Sequence, residues 1–265
     1  MEKEKPLKKL EKKVNLGKAD LHIHSNHSDA KPSILEILEY VQEKTDLNII
    51  AIADHDTMDG YFEALELLKR KKYRFDIVPA EEISTKEGHI LGLFLSEPIK
   101  PGLSILQTLS EIHKQHGIAV AVHPFQHTRF KNPKMIVMDG VGFVNLVKNK
   151  ENFDAVEIVN ATPTLSEENL SADFINTTLI MKAEIGSSDA HILDAIGMGY
   201  TLFEGKSATE LRIAIEKTQT KAMHNKWAVM ALFKYLFFFI PKGLRLGIYT
   251  LFHGRTEKKH RITRR

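Results

Sequence analysis

Ile49-Ile50-Ala51-Ile52-Ala53-Asp54-His55-Asp56 is an apolar run that stops abruptly in three ionisable residues. A short continuous apolar run of this kind reads as a buried strand. The pattern recurs along the chain. Val78-Pro79-Ala80 runs into Glu81-Glu82, and Ala119-Val120-Ala121-Val122 runs into His123-Pro124. Ala183-Glu184-Ile185-Gly186-Ser187-Ser188 runs into Asp189-Ala190-His191. In parallel α/β barrels the reacting groups sit at the carboxyl ends of the strands. Packing alone does not explain several apolar strands each capped by polar chemistry.

Working outward, strands are expected at Ala19–Ile23, Ile49–Ala53, Asp76–Pro79, Ile90–Phe94, Ala119–Val122, Ala155–Val159 and Ala183–Gly186. Helical periodicity lies between them. It begins at Ser33 with Ile34, Leu35, Ile37, Leu38 and Val41, and continues at Gly60–Arg70 and Ser104–His116, with Gly117 as a helix stop. Strand and helix in alternation is the signature of βα units. A chain of 265 residues with 43% hydrophobic content fits one domain of the larger α/β type with small additions. Neither an internal repeat nor a low-complexity stretch is present.

The absence of cysteine excludes disulfides, thiolate metal sites and a cysteine nucleophile. It suits a reducing cytoplasm. No signal-peptide pattern is visible in residues 1–18, which read as a charged leader. The net charge of +3 is unevenly spread. Residues 1–18 carry +4 and residues 221–265 carry +10, which leaves −11 for the residues between. An acidic middle suits a cation-binding enzyme. A basic, partly apolar tail suits contact with an anionic surface.

Asp20-Leu21-His22-Ile23-His24 is the sharpest local motif. On a regular strand Asp20, His22 and His24 share one face, with Leu21 and Ile23 on the other. Two imidazoles so spaced can bind one cation, and Asp20 can orient a ring from behind. Asp29, His55, Glu82, His89, His123, Asp189 and His191 complete nine candidate imidazole or carboxylate ligands, with Asp20 and Asp54 as supporting carboxylates. Singly each is weak. Together they suit Zn²⁺, Mn²⁺ or Fe²⁺, and they are enough for two or three ions. Such a site serves phosphate esters: cations neutralise the non-bridging oxygens, acidify water and stabilise the leaving oxygen.

Asp-Leu-His-Ile-His-Ser-x-x-Ser-Asp from residue 20, Asp-His-Asp-Thr from 54, Glu-Ile-Ser from 82 with His-Ile-Leu-Gly from 89, His123-Pro124 and Ser-Asp-Ala-His from 188 resemble the PHP (polymerase and histidinol phosphatase) superfamily. The resemblance spans roughly residues 18 to 205. From Ser187 through Gly197, Tyr200-Thr201 and Phe203 to a helix from Ser207, the chain also resembles the C-terminal element of stand-alone PHP phosphoesterases. The resemblance implies a distorted (β/α)7 TIM-like barrel over residues 19–220, with residues 221–265 as an apolar and basic helical tail. It implies three metals. His22, His24, Glu82 and Asp189 would hold the first, Glu82 with His89 and His123 the second, and Asp29, His55 and His191 the third. Glu82 is assigned over Glu81 because it directly precedes Ile83-Ser84. Aspartate at position 29 resembles the small members that act on nucleotides and short RNA ends.

Arg129 is a candidate for binding a substrate phosphate, with a solvent-facing loop arginine as the bland alternative. Glu157 and Asn160, at a strand end, are candidates for a supporting or substrate role. His27, His113, His116, His224, His253 and His260 read as structural or surface groups.

Trp227 to Ile240 is apolar apart from Lys234, and Pro241 ends the run. A spanning helix needs about 20 apolar residues. Three readings stay open for residues 227–265: a helix lying in an anionic membrane interface, which is favoured, a cover over a barrel face or a second protomer, or a hold on RNA phosphates. The leading functional expectation is hydrolysis of a phosphomonoester or nucleotide. A 5'-3' exonuclease using the same site, a catalytically silent membrane-recruited module and a barrel amide hydrolase are the alternatives.

Overall fold

The computed structural model describes residues 15–127, 139–227 and 229–240. Nine strands form one sheet, in the order β7-β6-β5-β4-β3-β2-β1-β8-β9. They are β1 (Leu16–Ile23), β2 (Ile49–Ile52), β3 (Asp76–Ser84), β4 (His89–Leu93), β5 (Ile118–Ala121), β6 (Ala155–Asn160), β7 (Ala183–Ser187), β8 (Gly199–Glu204) and β9 (Lys221–His224). The helices are α1 (Ile34–Lys44), α2 (Asp59–Leu68), α3 (Ile105–Lys114), α4 (Gly142–Lys148), α5 (Ser166–Ile175), α6 (Ala208–Glu216) and α7 over 229–240.

The sheet nearly closes on itself. Just beyond β1 and β7, Ile23 bridges Ala190, with His24 N donating to Ala190 O at 3.0 Å and Ala190 N to His22 O at 3.3 Å. Eight strands send side chains into one apolar cluster, among them Leu21, Ile49, Val78, Leu91, Val120, Ala155, Ile185 and Phe203. This cluster is therefore the barrel interior, and Leu211 and Ile215 of α6 join it. Outside, Ile34, Ile37, Leu38 and Val41 of α1 pack on Ile50 and Ile52 of β2. Ile105, Leu109 and Ile112 of α3 pack against Ile90, Ala119 and Ala121. Each such side chain, fully buried, contributes about 1.5–3 kcal/mol.

The seven expected strands are present, and the distortion has a definite form. β1–β2, β2–β3, β5–β6 and β6–β7 pair in parallel. β3–β4, β4–β5, β1–β8 and β8–β9 pair antiparallel. A short turn from β3 to β4 leaves no room for a crossover helix, so the alternation of strand and helix breaks there. β9 takes in the first four residues of the segment that the sequence reading gives to the tail.

Helices α1, α3 and α6 each start in a reciprocal cap: Ser33 with Glu36, Ser104 with Gln107, and Ser207 with Glu210. Each cap satisfies otherwise orphaned backbone N–H groups and contributes about 1 kcal/mol. α7 lies against the barrel. Its Ala231 and Tyr235 are buried, Trp227 Nε1 donates to Ala161 O at 2.8 Å, and Lys234 pairs with Asp194 at 2.8 Å. The described part of the tail thus covers a barrel face. Among the described residues no helix is long and apolar enough to cross a membrane.

Candidate metal centre

β1 does not run as a regular strand through its motif. Its pairing with β2 shifts register between Asp20 and Ile23. Leu21 therefore packs in the barrel interior, whereas Ile23 packs with α1 in a different cluster. Beyond the shift His22 and His24 converge, with their Nε2 atoms 3.1 Å apart. Asp20 is fully buried and turns to the loop after β7, accepting from Ser188 N at 3.0 Å and Gly197 N at 2.8 Å. It anchors the segment that carries Asp189 and does not orient a histidine ring as the alternation suggests. Burial pushes its carboxyl up to about 6 against these hydrogen bonds.

Glu82 is the hub of the centre. Its Oε2 lies 3.2 Å from ring nitrogens of His22, His24 and His55, and its Oε1 lies 2.9 Å from those of His89 and His123. Successive side chains on β3 alternate, so Glu81 points elsewhere, and its Oε2 accepts from Ile99 N at 2.7 Å. Burial pushes Glu81 up to about 7. Burial acts in the same sense on Glu82, yet the surrounding histidines outweigh it and hold Glu82 well below the usual carboxylate range.

Asp189 Oδ1 lies 3.3 Å from His24 Nε2 and 3.5 Å from His191 Nδ1. His191 Nε2 lies 2.8 Å from Asp29 Oδ1. His123 and Asp189 have left-handed backbones, with φ of 27° and 51°. Such conformations are costly for non-glycine residues and cluster at functional sites. Asp54 holds the Asp29 loop: it accepts from Ser25 N at 2.7 Å, Ser25 Oγ at 2.6 Å and Ser28 Oγ at 2.6 Å. A Cβ on Gly60 would collide with Asp54, so glycine there lets α2 start against this carboxylate.

The nine residues thus form overlapping groups whose donor atoms lie within 4.8 Å of one another: His24, Asp29, His55 and His191; His22, Glu82 and His123; His22, His24 and Asp189; and His55, Glu82 and His89. All are buried except the half-buried Asp29. Several of their buried ring nitrogens lack a hydrogen-bond partner: Nδ1 of His24, Nε2 of His55 and Nδ1 of His123. A buried polar atom without a partner is expensive, and three together beside these carboxylates fit divalent cations. The protonation pattern is equally strained. Burial disfavours charge on His24, yet hydrogen bonding to Asp189 and Glu82 carries it up to about 10. Burial pushes neighbouring His55 down to about 3.

Two buried residues outside the nine complete the network. Glu157 Oε1 lies 3.1 Å from His22 Nδ1 and also accepts from Ser187 Oγ, while its Oε2 accepts from His123 N at 2.7 Å. Asn160 Nδ2 donates to Glu157 Oε2 and to Asp189 Oδ2, both at 3.1 Å. Metal-binding histidines commonly present their second nitrogen to such a carboxylate. Arg129 lies outside the described residues. His27 pairs with Glu63 at 2.6 Å and His113 with Asp154 at 2.9 Å, both away from the centre. A cavity of about 620 Å³ adjoins His89 and is lined further by His127, Asp139 and Asn145.

Residues 180–220 match the family model described as PHP-associated. Two uncharacterised proteins of Methanocaldococcus jannaschii are similar. One is 39% identical over 119 residues, 41% of this chain and 68% of that protein. The other is 30% identical over 187 residues, 70% of each chain. This chain belongs to the PHP superfamily. Solved structures share the fold. A two-domain Bacteroides vulgatus protein containing a predicted PHP-like metal-dependent phosphoesterase superposes with a TM-score of 0.60 at 17% identity, over 80% of this chain and 65% of that one. Endonuclease Q in complex with a 27-mer duplex substrate with an abasic lesion at the active site superposes with a TM-score of 0.53 at 19% identity, over 76% of this PHP chain and 57% of that one.

Proposed function

We propose that this PHP protein is a metal-dependent phosphoesterase that hydrolyses a phosphomonoester or nucleotide. The observation that supports it most directly is the cluster of nine histidines and carboxylates with unsatisfied buried atoms. His22, His24, Glu82 and Asp189 would hold one divalent cation. Glu82, His89 and His123 would hold a second, and Asp29, His55 and His191 a third. The chemistry such cations supply is neutralisation of ester oxygens and acidification of water. The chain's own groups do the positioning. Glu157 fixes the His22 ring, Asp54 fixes the Asp29 loop, and Asp20 with Asn160 fixes Asp189.

The test is elemental analysis combined with phosphate release from a nitrophenyl ester, mononucleotides, nucleoside bisphosphates and a 5'-phosphorylated oligonucleotide. Two to three metals per chain with metal-dependent release are expected. Metal-free protein that stays inactive after adding Mn²⁺, Fe²⁺ or Zn²⁺ overturns the reading. The likeness to Endonuclease Q favours a second reading, action on nucleic acid. Steep loss of activity with salt would mark it, because polymer binding releases counterions.

A further inference from the structure

α7 has an inverted surface. A helix lying on a barrel turns its apolar stripe inward and polar residues outward. Here the inner face is apolar, with Ala231 and Tyr235 buried, and the outer face is apolar as well. Val229, Met230, Phe233, Leu236, Phe237 and Ile240 are exposed, Phe237 at 81% and Phe233 at 64%. The one charged side chain in the helix, Lys234, is held by Asp194. Contiguous exposed apolar surface of this kind marks an interaction site.

The helix stands beside the metal centre. Phe239 stacks edge-on near His191, with ring centroids 5.7 Å apart. A groove of about 800 Å³ runs between Phe233 and Phe238 of α7 and the residues that follow two candidate ligands: Lys31 and Pro32 after Asp29, and Ile192 and Leu193 after His191.

We infer that the outer face of α7 docks on an anionic lipid bilayer and thereby holds the metal centre at the membrane surface. Charge selects this occupant. Residues 241–265, directly following α7, contain eight Lys or Arg and one Glu, a net +7. Apolar side chains with an adjoining basic segment are what an anionic interface recognises. A second copy would bring two +7 segments together against their repulsion. Single-stranded nucleic acid could stack bases on Phe233 and Phe237, but Val229, Met230, Leu236 and Ile240 on the same face offer its phosphates no donor. The described stretch of this helix, 229–240, is too short to cross the bilayer, so docking places it along the membrane surface.

The test floats the full chain with vesicles of phosphatidylcholine, with or without phosphatidylglycerol. Binding is expected only to the anionic vesicles, weakened by salt. Phe233→Ser/Phe237→Ser should lower the bound fraction about tenfold. The same variant should retain its thermal midpoint and its turnover of a small soluble ester. Lys258→Gln/Lys259→Gln/Arg261→Gln should lower binding while leaving the apolar face intact. Absence of binding, or equal binding by parent and Phe variant, overturns the inference, as does a dimer that the Phe variant splits. Flotation is read without turnover, so its failure is separate from failure of the phosphoesterase reading.

Discussion

Glu157 grips the far side of the His22 ring, with Oε1 3.1 Å from Nδ1. The ring can then present only Nε2 to the cluster, which fixes its tautomer and direction. Glu157→Gln keeps the shape of the side chain but removes its charge. Metal affinity is expected to fall about 10–100-fold, with an unchanged far-ultraviolet spectrum. Competition with a chromophoric chelator measures it. Unchanged affinity would show that Glu157 serves only the backbone at His123.

The Asp29 loop depends on Asp54, which accepts three hydrogen bonds from it. Asp54→Ala leaves Ser25 and Ser28 donors unpaired and should cost about 2–3 kcal/mol. Metal content should drop while His22, His24 and Glu82 still retain cation. Calorimetry and elemental analysis on one preparation check both statements. Full metal content in the variant would contradict the role given to the loop.

Glu81 carries a pH dependence that can be assigned in sign. Its folded carboxyl is pushed up to about 7 by burial, from an ordinary value of 4.5. The native state therefore binds more protons than the unfolded state between these values, and stability falls as pH rises through this window. Glu81→Gln retains an acceptor for Ile99 N and has nothing to ionise. It should gain up to about 3 kcal/mol over the parent at pH ~8, and the gain should vanish below pH ~4.5. Parallel urea melts would settle it, and a gain that persists in acid would refute the assignment.

Metal loading should release protons. In the metal-free chain the His24 ring is carried up to about 10 by Asp189 and Glu82, so it is protonated near neutral pH. A cation needs the neutral imidazole. At pH ~7.5, calorimetric titration with Mn²⁺ in two buffers of different ionisation enthalpy should show about one proton or more released per chain. Acidification should strip the metal. Heats that do not depend on the buffer would contradict the protonation state derived for His24.

Much of the barrel was legible because its strands are short apolar runs that end in ionisable groups. The apolar-run pattern reaches neither β8 nor β9. Lys221–His224 has no apolar run, and only its pairing with β8 makes it a strand. The nine clustered residues stood out at strand ends. Glu157 and Asn160 stood at one too, but nothing in their spacing says that β6 carries them to His22 and Asp189. The direction of Asp20 was hidden for another reason. Alternation along β1 presumes an unbroken ladder, and the register shift after Asp20 breaks it. Burial of Tyr235 and packing of Phe239 beside His191 could not be read from an apolar stretch that membrane or barrel could equally cover.

The bridge between Ile23 and Ala190 has a consequence for how the protein matures. Ligands at the front of the chain meet their last partners only when this clasp shuts, and Asp20 spans 168 residues to reach Ser188. A polypeptide released by the ribosome before Asp189 can fold early strands, yet it lacks the groups that complete the cage. The sites that include Asp189 and His191 would therefore fill only in chains that extend past residue 191, and each ion held there would weigh against reopening. A fully loaded centre would in this way report that translation had passed residue 191.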